Sequence, residues 1–234
     1  MIRAVIFDIG GTLIRSEDAY ISALFDTFDH YSIPKPKKIV ASKYVGISDR
    51  EFISNCMPKE YRTEDNIDKC EKWFNSKFPM NYLDRFVEIE GTREIFEYLY
   101  AKNIKIAIAT GWERWKANII LSSYEWSKYK DVLITLEDFT KTRPAPDIVL
   151  AAIEKLDVKN IDCLSVDDTL NGAKAGMEAK EDAEKRWGVK LKVVTVLSGA
   201  QSEEIRAKSE EMLENGQTDF IIESVKYLKD IIER

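Results

Sequence analysis

The sequence predicts an α/β fold, in which a parallel sheet is covered by helices on both faces and a helical domain is inserted after the first strand. Short apolar runs recur along the chain, and amphipathic segments of helix length lie between several of them. Apolar strands that alternate with helices are typical of a parallel sheet. Residues 15–86 break this alternation, because they contain no clear strand pattern and look helical.

The apolar runs predict strands, and the amphipathic segments predict helices. The predicted strands are residues 3–7, 105–109, 131–135, 162–166 and 191–197. Residues 93–102 and 147–155 carry apolar side chains at helical spacing, so each predicts a helix with one buried face. Residues 173–188 carry opposite charges at helical spacing and predict a solvated helix. This last helix is also our candidate for contact with a second subunit in a homodimer.

The long segment after the first strand predicts a domain of its own. Tyr20, Leu24, Phe25 and Phe28 fall on one face of a helix, and prolines punctuate the segment as turns between helices do. We therefore expect a core domain of residues 1–14 and 87–234. Residues 15–86 should form a helical cap domain over the strand tips.

Composition limits the classes of function. The chain has 234 residues, enough for one large core or for a core with a small second module. A net charge of −6 provides no basic surface for nucleic acid or anionic lipid. No apolar run approaches the roughly 18 to 20 residues of a membrane span. With no leader pattern before the first strand, the expected location is the cytoplasm.

Cysteine and histidine usage points away from soft-metal and histidine chemistry. Cys56, Cys70 and Cys163 are odd in number and lack metal-binding spacing, so they read as reduced thiols. His30 is the single histidine, which disfavours a histidine-based metal site or histidine-driven acid–base catalysis.

The most informative residue is Asp8, which follows the first apolar run and precedes Gly10, Gly11 and Thr12. Ligands of open α/β sheets collect at the carboxyl ends of the strands. A carboxylate there, followed by backbone free of side chains, can bind a cation or attack an electrophile.

Three further segments carry polar groups to predicted strand or helix ends. Thr110 and Gly111 follow the second strand, where a hydroxyl and the amides of a helix N-terminus could hold an anion. Alternatively, Thr110 simply caps the next helix. Arg143 precedes a helix start, and its planar guanidinium suits phosphate oxygens. The alternative is a solvated loop arginine.

Asp167 and Asp168 end the strand predicted at residues 162–166. Two carboxylates at a strand tip suit a hard cation such as Mg²⁺, which takes a few carboxylate oxygens and keeps several waters. The alternative is an aspartate pair in a turn or helix cap. Packed beside Asp8, these carboxylates would repel one another without a cation between them.

In this order along the chain, the four segments resemble the motifs of the haloacid-dehalogenase-type (HAD-like) hydrolases. The resemblance covers nearly the whole sequence and implies a Rossmann-like core with a cap inserted after the first loop. It implies that Asp8 is the nucleophile that becomes an aspartyl-phosphate. It also implies that Thr110 and Arg143, together with Gly11 and Gly111, hold the phosphoryl oxygens.

The same resemblance implies a Mg²⁺ cofactor, held by the Asp8 carboxylate, the Gly10 carbonyl and Asp168. A narrower likeness is to the phosphonoacetaldehyde hydrolases, through Thr-Gly-Trp-x-Arg from Thr110, Arg-Pro-x-Pro from Arg143 and Val-Asp-Asp-Thr-Leu-x-Gly from residue 166. That family keeps a small residue at the position of Gly10.

Two positions depart from these families. Most HAD-like phosphatases keep a second Asp, which protonates the leaving oxygen, where this chain has Gly10. Phosphonoacetaldehyde hydrolases use a cap lysine to form a Schiff base, and the matching position here is Asp49.

The resulting hypothesis is a magnesium-dependent, phosphonatase-like hydrolase of a small phosphorylated or phosphonate metabolite. One alternative is a catalytically weak relative that binds a phosphate-bearing ligand or a protein partner. A dehalogenase is a further alternative, but it needs no magnesium and leaves the Asp167–Asp168 pair unexplained.

Overall fold

A computed structural model of the protein describes residues 1–78, 82–199 and 202–234. The chain divides into two compact units. The core unit comprises Met1–Ile14 and Glu88–Arg234, and the inserted unit comprises Arg15–Val87. Within the described ranges, no helix is both long and apolar enough to cross a membrane.

The core unit is built on one parallel sheet. The strands of the chain are β1 Ile2–Phe7, β2 Ile14–Arg15, β3 Val87–Glu88, β4 Lys105–Ala109, β5 Val132–Ile134, β6 Asp162–Asp167, β7 Lys190–Val196 and β8 Phe220–Ile222. Six of them form a sheet in the order β5-β4-β1-β6-β7-β8, and every neighbouring pair is parallel. β2 and β3 form a separate two-stranded ribbon.

Helices account for most of the remaining chain. They are α1 Glu17–His30, α2 Lys38–Ala41, α3 Asp49–Cys56, α4 Glu64–Lys77, α5 Thr92–Ala101, α6 Arg114–Ser123, α7 Asp147–Leu156, α8 Leu170–Trp187, α9 Ser202–Ala207, α10 Ser209–Glu214 and α11 Leu228–Ile232. Short 3₁₀ turns lie at Ser42–Tyr44, Lys59–Tyr61, Leu83–Arg85, Trp126–Lys128, Leu136–Asp138 and Val225–Tyr227.

Both faces of the sheet are covered, because successive strand residues point to opposite sides. Ala4 and Ile6 of β1 belong to an apolar cluster with α7 and α8. Phe7 instead packs edge-on against Phe96 of α5, with ring centroids 5.5 Å apart. The predicted α/β class with a parallel sheet is therefore confirmed.

The five predicted strands are all present, each with its ends within one residue of the prediction. The two-residue strands β2 and β3 were not predicted. β8 was not predicted either. It has only three residues, and its pairing of Phe220 with Val194 of the neighbouring β7 defines it as a strand. Local patterning carries little signal over so short a run.

The prediction that residues 173–188 form a solvated helix is wrong for one face of α8. The small residues of that face are buried, namely Gly172, Ala173, Ala175, Gly176, Ala179 and Ala183. They allow the helix to approach the sheet closely, since a β-carbon on Gly176 would lie 2.8 Å from a methyl carbon of Val193. The charged residues occupy the opposite face, and a homodimer contact there stays a prediction.

The inserted unit has an aromatic core. The Tyr20 ring lies 6.2 Å from Phe52, 5.9 Å from Phe74 and 5.7 Å from Phe78, measured between ring centroids. Phe25, predicted on the same face as Tyr20, is only half-buried. The role of this unit as a cap domain remains our proposal.

Candidate active site

The register of the sheet brings three strand ends together. Phe7, the last residue of β1, pairs with Ile108 of β4 and with Val166 of β6. Asp8 therefore lies beside the ends of both neighbouring strands, and its backbone N–H donates to the Val166 carbonyl at 3.0 Å. Because parallel strands end at one edge, residues far apart in sequence meet there.

Arg143 links two of the predicted carboxylates. Its Nη2 donates to Asp8 Oδ1 at 2.6 Å, and its Nη1 donates to Asp167 Oδ2 at 2.5 Å. The guanidinium side chain is only 15% exposed. The alternative of a solvated loop arginine is therefore wrong. Pro144 and Pro146 precede α7, which begins at Asp147 as predicted.

The cluster concentrates negative charge in a buried place. Burial raises the pKa of Asp8 to about 6; Arg143 opposes this shift, and repulsion from Asp167 adds to it. Burial, with repulsion from Asp167 and Asp8, also raises the pKa of Asp168 well above its usual value. One guanidinium thus faces three carboxylates. Their negative charge is not fully balanced, so a further positive charge would stabilise the ionised carboxylates.

Asp167 is held by hydrogen bonds on both oxygens. Its Oδ1 accepts from the Thr169 N–H at 2.9 Å and from the Thr169 hydroxyl at 2.7 Å, and its Oδ2 accepts from Arg143. Thr169 is also the N-cap of α8, because its Oγ1 accepts from the Gly172 N–H at 2.9 Å. A β-carbon at Gly172 would overlap the Asp167 carboxyl. This carboxylate is therefore locked in position toward Arg143.

Asp168 points into a space that two glycines leave free. Thr12 donates to Asp168 Oδ1 at 3.1 Å. A β-carbon on Gly11 or on Gly199 would overlap the Asp168 carboxyl. Gly11 has a φ of +78°, a backbone region that favours glycine. The loop after β1 thus turns so that its backbone lies against this carboxylate.

Thr110 lies at the end of β4, where its side chain is buried. Its Oγ1 accepts a hydrogen bond from the Trp112 N–H at 3.3 Å, so the hydroxyl proton remains available for donation. Thr110 does not cap α6, whose N-cap is Glu113. A β-carbon on Gly111 would meet nothing within 4 Å, so the backbone is open there.

The expected anion site at the N-terminus of α6 is wrong in one respect. The first amide of this helix, on Arg114, donates to both carboxylate oxygens of Glu137, at 3.0 and 3.2 Å. Hydrogen bonds from Thr135 and from this amide lower the pKa of Glu137, although burial alone would raise it. Glu137 therefore occupies this amide at the helix terminus, and Thr110 and Gly111, which precede the helix, stay as the predicted anion-binding groups.

The donor set fits Mg²⁺. Among the described residues, no group of three or more histidine, cysteine, aspartate or glutamate side chains is arranged to hold a metal ion by itself. The predicted ligands are two carboxylates, Asp8 and Asp168, with the backbone carbonyl of Gly10. All three supply oxygen, and Mg²⁺ is commonly bound by one or two carboxylates with water completing the shell. The unbalanced negative charge of the cluster is consistent with such a cation.

Four residues that shape the site were given no role in it from the sequence. Thr12, Thr169, Gly172 and Gly199 position the two aspartates, but none has an unusual local pattern. Thr169 carried the clearest signal, because a threonine immediately before a helix is a common N-cap. Gly199 could not be found this way, since its contact with Asp168 joins two segments that are distant along the chain.

Residues 5–183 match the model of the haloacid dehalogenase-like hydrolases. The chain belongs to this family. The predicted membership of the HAD-like hydrolases and the predicted hydrolase class are therefore confirmed. The HAD-like chain is 27% identical to a phosphorylated carbohydrates phosphatase of Thermotoga maritima, over 80% of this chain and 85% of the relative. It is 28% identical to the pyrophosphatase PpaX of Bacillus mycoides, over 76% and 80% respectively.

A solved structure of a phosphonoacetaldehyde hydrolase like protein from Oleispira antarctica has the same fold as this HAD-like chain. The TM-score is 0.76 at 23% identity, and the match covers 99% of this chain and 91% of the other. At this level of identity the likeness establishes the fold alone.

Proposed function

We propose that this HAD-like hydrolase is a magnesium-dependent phosphatase of the phosphonatase-like subgroup. It transfers the phosphoryl group of a small phosphorylated metabolite to Asp8, and water then hydrolyses the aspartyl-phosphate. The observation that carries this proposal is the buried Asp8 carboxylate at the sheet edge. Its Oδ1 accepts a hydrogen bond at 2.6 Å from Nη2 of Arg143, a side chain whose planar guanidinium also suits phosphate oxygens.

Each residue of the site has a definite task in this reaction. One Asp8 oxygen is oriented by Arg143, and the other attacks phosphorus. The Thr110 hydroxyl, the open backbone at Gly111 and the Arg143 guanidinium bind phosphoryl oxygens. Asp167 does not touch the substrate, but it fixes the guanidinium from behind through Nη1.

Asp8, Asp168 and the Gly10 carbonyl are the proposed ligands of Mg²⁺. When bound, the ion neutralises charge on the transferring phosphoryl group. It also offsets the repulsion between the two buried carboxylates.

The relatives named as phosphatase and pyrophosphatase support a phosphate rather than a phosphonate as substrate. Cleavage of a P–C bond needs an electron sink, such as an imine formed by a lysine. The position that matched the cap lysine carries Asp49, which is the first residue of α3 and is buried.

The three cysteines are buried and free, as expected for a protein of a reducing compartment, so we also propose a cytoplasmic location. The acidic chain and the small anion site favour a small metabolite as its ligand over nucleic acid.

Asp8→Asn tests the proposed nucleophile. Hydrolysis of p-nitrophenyl phosphate and acetyl phosphate with Mg²⁺ should fall to background, and no phosphorylated protein should form. Asp182→Asn, an exposed carboxylate on α8, is the matched control and should hydrolyse both at the parent rate. Equal rates for the parent and Asp8→Asn would exclude Asp8 as nucleophile.

Gly10 favours a second candidate, a weak enzyme that mainly binds a phosphate-bearing ligand, because this position offers no side chain for acid–base catalysis. Stabilisation of the protein by Mg²⁺ with beryllium fluoride or tungstate, without turnover of a broad metabolite panel, would support it. Turnover that depends on Asp8 would exclude it.

A further inference from the structure

The loop after β1 is held by a side chain from a strand that does not touch β1. The Ser198 hydroxyl, just after β7, donates to the Gly11 carbonyl at 2.7 Å, across 187 residues of sequence. β6 lies between β1 and β7 in the sheet, so the segment after β7 passes the end of β6 to reach this loop. None of the tasks assigned to Asp8, Thr110 and Arg143 uses this hydrogen bond.

Two hydrogen bonds fix the peptide groups on either side of Gly11. The Gly11 N–H donates to the Ile14 carbonyl at 2.7 Å, and the Gly11 carbonyl accepts from Ser198. A peptide group is planar, and in the trans form its C=O and N–H point in opposite directions. The first bond therefore directs the Gly10 carbonyl away from Ile14, and the second fixes the peptide that leads into Thr12.

The same segment also bounds Asp168. Thr12, which follows the peptide held by Ser198, donates to Asp168 Oδ1 at 3.1 Å. A β-carbon on Gly199 would lie 1.6 Å from Asp168 Oδ2, so the backbone after Ser198 lies directly against this carboxylate. Ser198 and Gly199 thus contact the backbone that carries one proposed metal ligand and the side chain of another.

We propose that Ser198 is a positioning residue that makes the metal site selective for Mg²⁺ over Ca²⁺. This inference rests on the proposed function, because it takes Asp8, Asp168 and the Gly10 carbonyl as metal ligands. Mg²⁺ demands near-ideal octahedral geometry at about 2.0–2.1 Å, whereas Ca²⁺ accepts about six to eight oxygens at about 2.3–2.6 Å in flexible arrangements. A carbonyl in a loop that is fixed on both sides favours the ion that tolerates less variation.

Removal of the Ser198 hydroxyl frees the peptide between Gly11 and Thr12. The Gly10 carbonyl on one side and the Thr12 side chain on the other then lose their common anchor. Ca²⁺ can adapt to displaced ligands by changing its coordination number, but Mg²⁺ cannot. The hydroxyl should therefore matter more for Mg²⁺ than for Ca²⁺, a difference that a general loss of stability would not produce.

The experiment compares the parent with Ser198→Ala and Ser198→Thr in the absence of substrate. Thermal unfolding midpoints over titrations with MgCl₂ and with CaCl₂ give the dissociation constant of each ion. The parent should bind Mg²⁺ more tightly than Ca²⁺. Ser198→Ala should bind Mg²⁺ about five- to tenfold more weakly, as expected for one lost hydrogen bond, and Ca²⁺ by less than about twofold. Ser198→Thr keeps the hydroxyl and should keep the selectivity of the parent.

Ser224→Ala is the matched control. The Ser224 hydroxyl donates to the Glu90 carbonyl at 2.7 Å, a bond of the same kind and length elsewhere in the core unit. This variant should keep the parent affinity for both ions, whatever its unfolding midpoint without metal. The Mg²⁺ concentration for half-maximal hydrolysis of acetyl phosphate provides a second readout, which should rise for Ser198→Ala and stay unchanged for Ser224→Ala.

An equal affinity of the parent for the two ions, or an equal loss of both in Ser198→Ala, would overturn the inference and leave the role of Asp8 intact. A Ser198→Thr variant with the selectivity of Ser198→Ala would overturn it too, because the hydroxyl would then not be the cause. The proposed function fails separately if Asp8→Asn hydrolyses acetyl phosphate at the parent rate. If neither ion stabilises the parent, the metal site is wrong and this inference fails with it.

Discussion

Gly11 and Asp168 share one space at the sheet edge, because a β-carbon on Gly11 would overlap the Asp168 carboxyl. Their separation in sequence is large, yet the backbone of the first loop lies directly against the aspartate that follows β6. The proposed magnesium site depends on this close approach.

Gly11→Ala should therefore harm the protein in two ways. Its φ of +78° makes any side chain costly, by about 1–2 kcal/mol, and the new methyl group also displaces Asp168. Gly216→Ala is the matched control, since its φ is +64° but a β-carbon there would meet nothing within 4 Å. Urea unfolding should show a larger loss for Gly11→Ala. Only Gly11→Ala should lose the thermal stabilisation by Mg²⁺, and equal behaviour of the two variants would contradict the site.

Thr169→Ala should lower both stability and activity, because the Thr169 hydroxyl has two tasks. It accepts the hydrogen bond that caps α8, and it donates a hydrogen bond to the Asp167 carboxylate. Loss of an N-cap costs about 1 kcal/mol. The kcat/KM should also fall, by roughly tenfold for the one hydrogen bond removed, while Thr169→Ser should restore both quantities.

Thr63→Ala separates the two effects of Thr169. Thr63 caps α4 through the Asn66 N–H at 3.2 Å in the inserted unit, so its loss should reduce stability without changing kcat/KM at temperatures where the variant is folded. Similar kcat/KM values for Thr169→Ala and Thr63→Ala would argue against a positioning role for Thr169.

Arg143→Lys should reduce kcat/KM by about 10- to 100-fold, although it keeps the positive charge. A lysine has one nitrogen, so it cannot bridge Asp8 and Asp167 as the guanidinium does. Steady-state kinetics with acetyl phosphate measures the loss. Arg206→Lys is the control, because Arg206 makes a similar fork to Glu223 in an exposed place and should be replaceable.

Arg143→Met probes stability at the same position. Removing the cation leaves two buried carboxylates without their partner, which costs about 3–5 kcal/mol for a typical buried pair. Urea unfolding in the presence of a chelator should show this loss, and Mg²⁺ should recover part of it. A variant as stable as the parent would mean that the pair makes no net contribution.

Lys116 should make stability depend on pH. Its side chain is fully buried, and burial lowers its pKa to about 7 from an ordinary value of 10.5. Above pH 7 the unfolded chain binds more protons at this site than the folded chain does. The free energy of unfolding should therefore rise with pH, by up to about 1.4 kcal/mol per unit from this residue.

Lys116→Met should flatten that rise between pH 7 and 9, and Lys174→Met, on the exposed face of α8, should not. Chemical denaturation at several pH values measures the slope. The window ends at pH 9 because burial raises the pKa values of the three cysteines above their ordinary 9.0, so they lower stability beyond it. Identical slopes for the parent and Lys116→Met would exclude the assignment.

Patterning along the chain was sufficient for the strands that are long and apolar. It failed for β8, which is three residues long, and for the buried face of α8, whose alanines and glycines have little apolar area of their own. Packing against the sheet, rather than local preference, decides whether such small residues are covered.

The polar residues of the site divide in the same way. Asp8, Thr110 and Asp167 follow apolar strands directly, so their place at the sheet edge could be read from the order of residues. Glu137 could not be foreseen, because it reaches the start of α6 from a different part of the chain.

By itself the sequence determined the class of fold, the carboxylates and hydroxyl at the strand ends, and the lack of a side chain at Gly10, because these depend on residue type and local period. Only the tertiary structure decided that Arg143 joins Asp8 to Asp167 and that Gly11 makes room for Asp168. Those relationships arise from the register of parallel strands, which brings distant segments within hydrogen-bonding distance.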